Sequence, residues 1–108
     1  MADETPDFNN TLGSFTHTVK SIGTTRTLAS VGGSNLQYRE KLTIINVSQG
    51  SGNRSLFIGD SGVTTNGATQ GEELLPGDVW EEFYGEDVEV YIIGNSGTSA
   101  FIKESASV

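Results

Sequence analysis

Short runs in which apolar and polar residues alternate recur along this chain at roughly ten-residue spacing, separated by clusters of Gly, Asn, Asp and Ser. A period of two puts successive side chains on opposite faces of an extended strand. A helix would need apolar spacing of three and four, and no window sustains it. The pattern predicts strands at Phe15 to Lys20, Arg26 to Val31, Tyr38 to Val47, Ser55 to Ile58, Glu72 to Leu75, Val79 to Tyr84, Val88 to Ile93 and Ser99 to Glu104. About eight short strands in 108 residues predict an all-β chain, a single jelly-roll-like antiparallel β-sandwich over residues 13–108. Residues 1–12 are polar and acidic with one aromatic ring, Phe8, and read as an extended N-terminal arm outside the sandwich.

Turn chemistry punctuates the strands. In Pro76-Gly77, proline fixes φ at the first central position and glycine supplies positive φ at the second. The segment Gly94-Asn-Ser-Gly97 predicts a hairpin between the last two strands. There Val88, Val90 and Ile92 share one face, Ala100 and Ile102 another, with Glu89 and Lys103 on the opposite sides. The stretches Gly50-Ser-Gly-Asn53 and Asn66-Gly-Ala-Thr-Gln-Gly71 are loops by composition.

Size and composition narrow the function. At 108 residues and 11.5 kDa the chain has room for one domain. It has no Cys and one His, which removes disulfides, thiol nucleophiles, Cys-based zinc sites and multi-histidine cages, and nothing calls for a cofactor. No apolar run follows Met1 and none is long enough for a membrane span, so a soluble product without a signal peptide is expected. The net charge of −8 is uneven: −3 over residues 1–10, +4 over 11–54 and −9 over 55–108. Five dispersed cations are a weak phosphate footprint, which argues against nucleic acid. The split suits a basic edge meeting an acidic neighbour, or an acidic surface that keeps a small protein soluble.

The chemical motifs have simpler readings beside them. Gly59-Asp-Ser-Gly62 looks like a serine-protease nucleophile segment, but only His17 is available as a base, and the residues read better as a turn. The acids Glu72, Glu73, Asp78, Glu81, Glu82, Glu86, Asp87 and Glu89 lack the register of a calcium loop and read as a solvated strand face. Asn9, Asn46 and Asn53 open glycosylation sequons by form only. Trp80, Phe83, Tyr84 and Tyr91 are the rings for a core, an interface or a sugar platform, in that order.

The segments Asn46-Val-Ser48, Ser55-Leu-Phe-Ile-Gly-Asp-Ser-Gly-Val-Thr-Thr-Asn-Gly67, Leu75-Pro-Gly-Asp78 and Val90-Tyr-Ile-Ile-Gly-Asn-Ser-Gly-Thr-Ser-Ala-Phe-Ile102 resemble small β-sandwich structural proteins of tailed viruses. The resemblance covers roughly residues 42 to 104; residues 1–41 do not match the pattern, and the acids of 72–89 are denser than it has. It implies a non-enzymatic structural role in a virion: capsid decoration as a symmetric oligomer, such as a homotrimer, or a tail or fibre component. The major capsid protein is then the expected partner, and the host cytoplasm the place of synthesis. On that reading Phe8 with Arg26, Arg39 and Lys41 are the expected docking residues, with Trp80 and Tyr84 as interface rings. The alternative is a carbohydrate-binding module that stacks sugar on Trp80, Tyr84 or Tyr91.

Overall fold

A computed structural model describes residues 13–107. Eight strands form: β1 (Ser14–Ser21), β2 (Thr27–Leu28), β3 (Arg39–Asn46), β4 (Leu56–Gly59), β5 (Glu72–Leu74), β6 (Val79–Glu82), β7 (Tyr91–Gly94) and β8 (Ser99–Ala106). Each lies within or within two residues of its predicted segment, because alternation between turn formers marks strands wherever one face is buried. The predicted arm, including Phe8, lies outside the described residues.

The strands make two four-stranded antiparallel sheets, ordered β1-β8-β3-β6 and β2-β7-β4-β5. The pairing is nested. β1 pairs with β8, β2 with β7, β3 with β6 and β4 with β5, as in one long hairpin rolled up on itself. Contacts β3–β8 and β4–β7 close each sheet between its pairs. Facing side chains fill the space between the sheets: Leu42, Ile44, Ala100 and Ile102 from the first, Leu56, Ile58, Leu74 and Ile92 from the second. Each such Leu or Ile stabilises the fold by roughly 1.5–3 kcal/mol relative to exposure. Trp80 enters from the β6 edge.

The Pro76-Gly77 turn forms as its chemistry requires, with φ +93° at Gly77 and Asp78 N–H donating to the Leu75 carbonyl at 2.9 Å. The Gly94 to Gly97 turn also forms, with φ +84° at Gly97, but it is not a hairpin. β7 and β8 belong to different sheets, and the turn carries the chain across the sandwich. Its anchors are distant. Gly94 N–H donates to the Gly23 carbonyl, and Thr98 Oγ1 accepts from Gly23 N–H at 3.1 Å while donating to the Asn95 carbonyl. Val90 and Ile92 are buried as expected, whereas Val88 sits exposed in the loop before β7.

Two buried polar hubs tie the loops down. Asn46 Nδ2 donates to the Arg54 and Leu74 carbonyls, both at 2.8 Å, and its Oδ1 accepts from Ser48 N–H. A buried Arg39–Glu104 ion pair at 2.9 Å joins β3 to β8. Arg39 was expected on a docking surface; it is instead an interior residue, because Glu104 and four further acceptors satisfy its guanidinium.

Candidate functional site

Burial and register divide the first sheet into two unlike faces. Thr18 lies opposite the buried Ile102, so Thr16, Thr18 and Lys20 of β1 lie on the core side and Phe15, His17 and Val19 point outward. The strand thus presents its apolar residues to solvent. Across the outer face, Val19 lies opposite Phe101, Phe101 opposite Ile45 and Ile45 opposite Val79, a row spanning all four strands. Two strand residues along, His17, Lys103, Thr43 and Glu81 form the next row. Phe15, Ser105 and Lys41 form the third, and Phe83 follows β6 at its end. Phe83 is 79% exposed and Phe15 62%.

This face is organised chemically. The His17 ring stacks between Phe15 and Phe101, with centroids 6.1 and 5.6 Å away. Lys103 stands over the Phe15 ring at 4.9 Å and Lys41 over Phe83 at 5.5 Å. Lys41 also pairs with Glu81 at 3.2 Å, and Glu81 accepts from Thr43 Oγ1 at 2.9 Å. Those two hydrogen bonds, Thr43 first, hold the Glu81 carboxyl below its ordinary pKa. Such a constellation can receive a partner that brings apolar side chains and carboxylates.

A cleft of about 300 Å³ opens at the β5–β6 side of the sandwich, lined by Trp80, Tyr84, Ile58 and the carboxylates Asp60, Glu72 and Glu89. The Trp80 and Tyr84 rings lie 5.9 Å apart, and Trp80 Nε1 donates to Glu72 at 3.3 Å. Arg39 fixes one wall by donating to the Tyr84, Gly85 and Val88 carbonyls. Among the described residues there is no group of three or more His, Asp and Glu placed to hold a metal ion.

The predicted site residues therefore separate. Trp80 and Tyr84 share the cleft, Lys41 belongs to the outer face, and Arg26 is exposed but donates to the Val63 carbonyl at 2.6 Å. Arg39 is inside, and Phe8 lies outside the described residues. Asp60 caps its own turn by accepting from Gly62 N–H, and Ser61 is exposed there, after β4 of the second sheet, while His17 is on the first. Asn46 is buried and fully bonded, closed to glycosylation in the folded chain. The Val19, Phe101, Ile45 and Val79 row was not anticipated. Its only sequence signal is the apolar pair Phe15 and Val19 between threonines, which reads equally well as a core face.

Comparison of the chain with protein families, with curated proteins and with solved structures gives no match.

Proposed function

We propose that this chain is a non-enzymatic structural protein of a tailed-virus particle, made in the host cytoplasm and carried in the virion, where it decorates the capsid as a symmetric oligomer. The observation that carries the reading is the outward apolar face of the first sheet, presented by a scaffold buried and hydrogen-bonded on its other side. A protein that binds many equivalent sites needs a rigid body with one face prepared for contact, and repetition lets modest contacts add through avidity. The nested strand pairing of the two sheets and the resemblance over residues 42–104 support the same reading.

The test is particle occupancy. Purified particles are analysed for the protein by mass spectrometry, and Phe83→Asp and Val19→Asp variants are offered to particles lacking it. Both positions are exposed, so folding is spared while the face gains charge. Occupancy is expected to fall; a protein absent from particles, or variants that bind as well as the parent, overturns the reading. Light scattering on the free protein tests a homotrimer, and labelling in electron micrographs distinguishes head from tail or fibre.

One observation favours a second reading, carbohydrate binding: the cleft brings two aromatic rings beside three carboxylates, groups that stack on and hydrogen-bond to a sugar. A glycan array with no signal above background, or signal unchanged by Tyr84→Ala, disposes of it.

A further inference from the structure

The two sheets end in four edge strands, and three of them are blunted. β2 has two residues, β5 three with Glu72 and Glu73 among them, and β6 four with Glu81 and Glu82. Short length and charge are what keep a sheet edge from pairing with another chain. β1 is different. It runs for eight residues, pairs with β8 through eight consecutive positions without a bulge, and carries one charge, Lys20, near its end.

The ladder fixes which backbone groups of β1 face the edge. Ser21 lies opposite Ser99, and just beyond them Ile22 N–H donates to the Thr98 carbonyl at 3.0 Å. In an antiparallel pair, residues that exchange hydrogen bonds alternate with residues whose N–H and C=O point away. The even-numbered residues of β1 therefore bond to β8, and Phe15, His17 and Val19 turn their N–H and C=O to the edge. On the other side of β8, Val47 N–H donates to the Ser99 carbonyl, which gives β8 the same alternation. Among the described residues no hydrogen bond reaches Phe15, His17 or Val19 from the edge side. These three residues also carry the side chains that point outward from the sandwich.

The strand complements itself. Read outward from His17, the sequence gives threonine and then an apolar residue in both directions, Phe15-Thr-His-Thr-Val19. Set antiparallel to a second copy about a two-fold axis at His17, Phe15 lies opposite Val19, His17 opposite His17, and Thr16 opposite Thr18 on the core side. The residues with edge-facing N–H and C=O groups then meet one another, as hydrogen bonding requires. A ring against a β-branched residue and threonine against threonine are favourable cross-strand pairs, and Lys20 meets no like charge. An axis at Thr18 would set Phe15 opposite Ser21, and an axis at Thr16 would set Val19 opposite Gly13. Neither keeps the apolar pairs.

We infer that β1 pairs antiparallel with β1 of a second copy about a two-fold axis at His17, joining the two four-stranded first sheets into one continuous sheet. Such an isologous contact closes at two copies. The outer faces of both copies lie on the same side and stay uncovered, so the pairing doubles the apolar face rather than occupying it. One strand of contact is below the ~800 Å² per partner of a standard interface, so the dimer dissociates on dilution. The inference rests on the β1 edge and not on the particle reading, and a dimer that fails to bind particles leaves it standing.

Solution mass of the full chain across a dilution series tests this, with cross-linking to fix the register. At millimolar concentration the parent is expected near twice 11.5 kDa, falling toward one chain on dilution. His17→Pro removes the N–H at the axis and no bond to β8, and an edge strand tolerates proline there, so association is expected to weaken by about tenfold or more. His17→Lys sets two like charges opposite each other with the backbone intact, and it decides the matter if the proline variant fails to fold. Phe83→Asp, beyond the opposite edge of the sheet, is expected to leave the dimer as it is. The chain has no cysteine, so His17→Cys is expected to form a disulfide-linked pair in air, as is a mixture of Phe15→Cys and Val19→Cys chains. Val19→Cys alone is not, because its two copies lie about 14 Å apart along the strands. A parent that stays monomeric at millimolar concentration, or one with the mass of three chains, overturns the inference. So does a dimer that survives both His17→Pro and His17→Lys, a dimer lost in Phe83→Asp, or Val19→Cys linking to itself as readily as His17→Cys.

Discussion

Glu104→Gln is the substitution whose consequence can be worked most fully. Glu104 is 1% exposed; one oxygen accepts from Val31 N–H at 2.8 Å, the other from Leu36 N–H and Arg39 Nη1, both at 2.9 Å. Glutamine keeps the shape but removes the charge, and in either orientation its amide group faces an N–H where a carboxylate oxygen stood. Breaking a buried ion pair from one side costs about 3–5 kcal/mol. For a domain whose total stability is of order 5–15 kcal/mol, that is a large share. Urea unfolding is expected to show a lowered midpoint with an unchanged slope, and the melting temperature to fall by about 12 °C or more. The double variant Arg39→Met/Glu104→Leu removes both charges together. Apolar replacement of a buried pair is often neutral. Here it would strip partners from the Tyr84 carbonyl and from the Val31 and Leu36 N–H groups, all on half-buried residues. At about 1–3 kcal/mol for each group left buried and unsatisfied, the double variant should be at least as unstable as the single. A double variant as stable as the parent would refute this account, since the pair would then be a replaceable plug rather than the clamp of two loops.

Three further predictions concern single residues. A carbon-13 titration should place Glu81 below an ordinary glutamate, with Thr43→Val and Lys41→Ala each raising the midpoint; because the folded pKa is the lower one, the stability Glu81 contributes is present above the unfolded value and lost as pH falls through the folded one. Gly97→Ala should destabilise by about 1–2 kcal/mol, because φ is +84° there and the new methyl meets the Arg54 guanidinium that donates to the Ser96 carbonyl; thermal denaturation reads it directly. Tyr38→Gly should stabilise by up to about 1 kcal/mol, since Tyr38 is exposed at φ +61° and its N–H bond to Glu86 survives the change; a lower midpoint in urea would refute that.

What the sequence carried was local. Strand positions were legible because turn formers and period-two alternation act within ten residues. The Gly94 to Gly97 turn shows where this stops. Its chemistry dictates a reversal, but the partner of β8 is decided by Ser21, Thr18 and Ile45, from strands far back in the chain. Arg39 shows it again: an arginine at the head of a strand reads as surface, and what buries it is a carboxylate 65 residues later. In β6 the alternation yields two mixed faces, Val79 with Glu81 and Trp80 with Glu82, so only the register against Ile44 and Ile45 says which ring is the interior one.

The first strand is where local pattern and global fold conflict, and the conflict is informative. On hydropathy alone Phe15 and Val19 belong in the core and Thr16 and Thr18 outside. The register with β8 does the reverse, placing Thr18 opposite the buried Ile102. A one-residue slip would exchange the faces at once and set Thr16 and Thr18 outward, but it would take Gly13 from its place against the Ala106 carbonyl. Native chains keep such contradictions where a contact elsewhere compensates. The apolar residues of β1 are turned onto the outer face, where Val19 lies opposite Phe101 and the Phe15 ring stacks on His17.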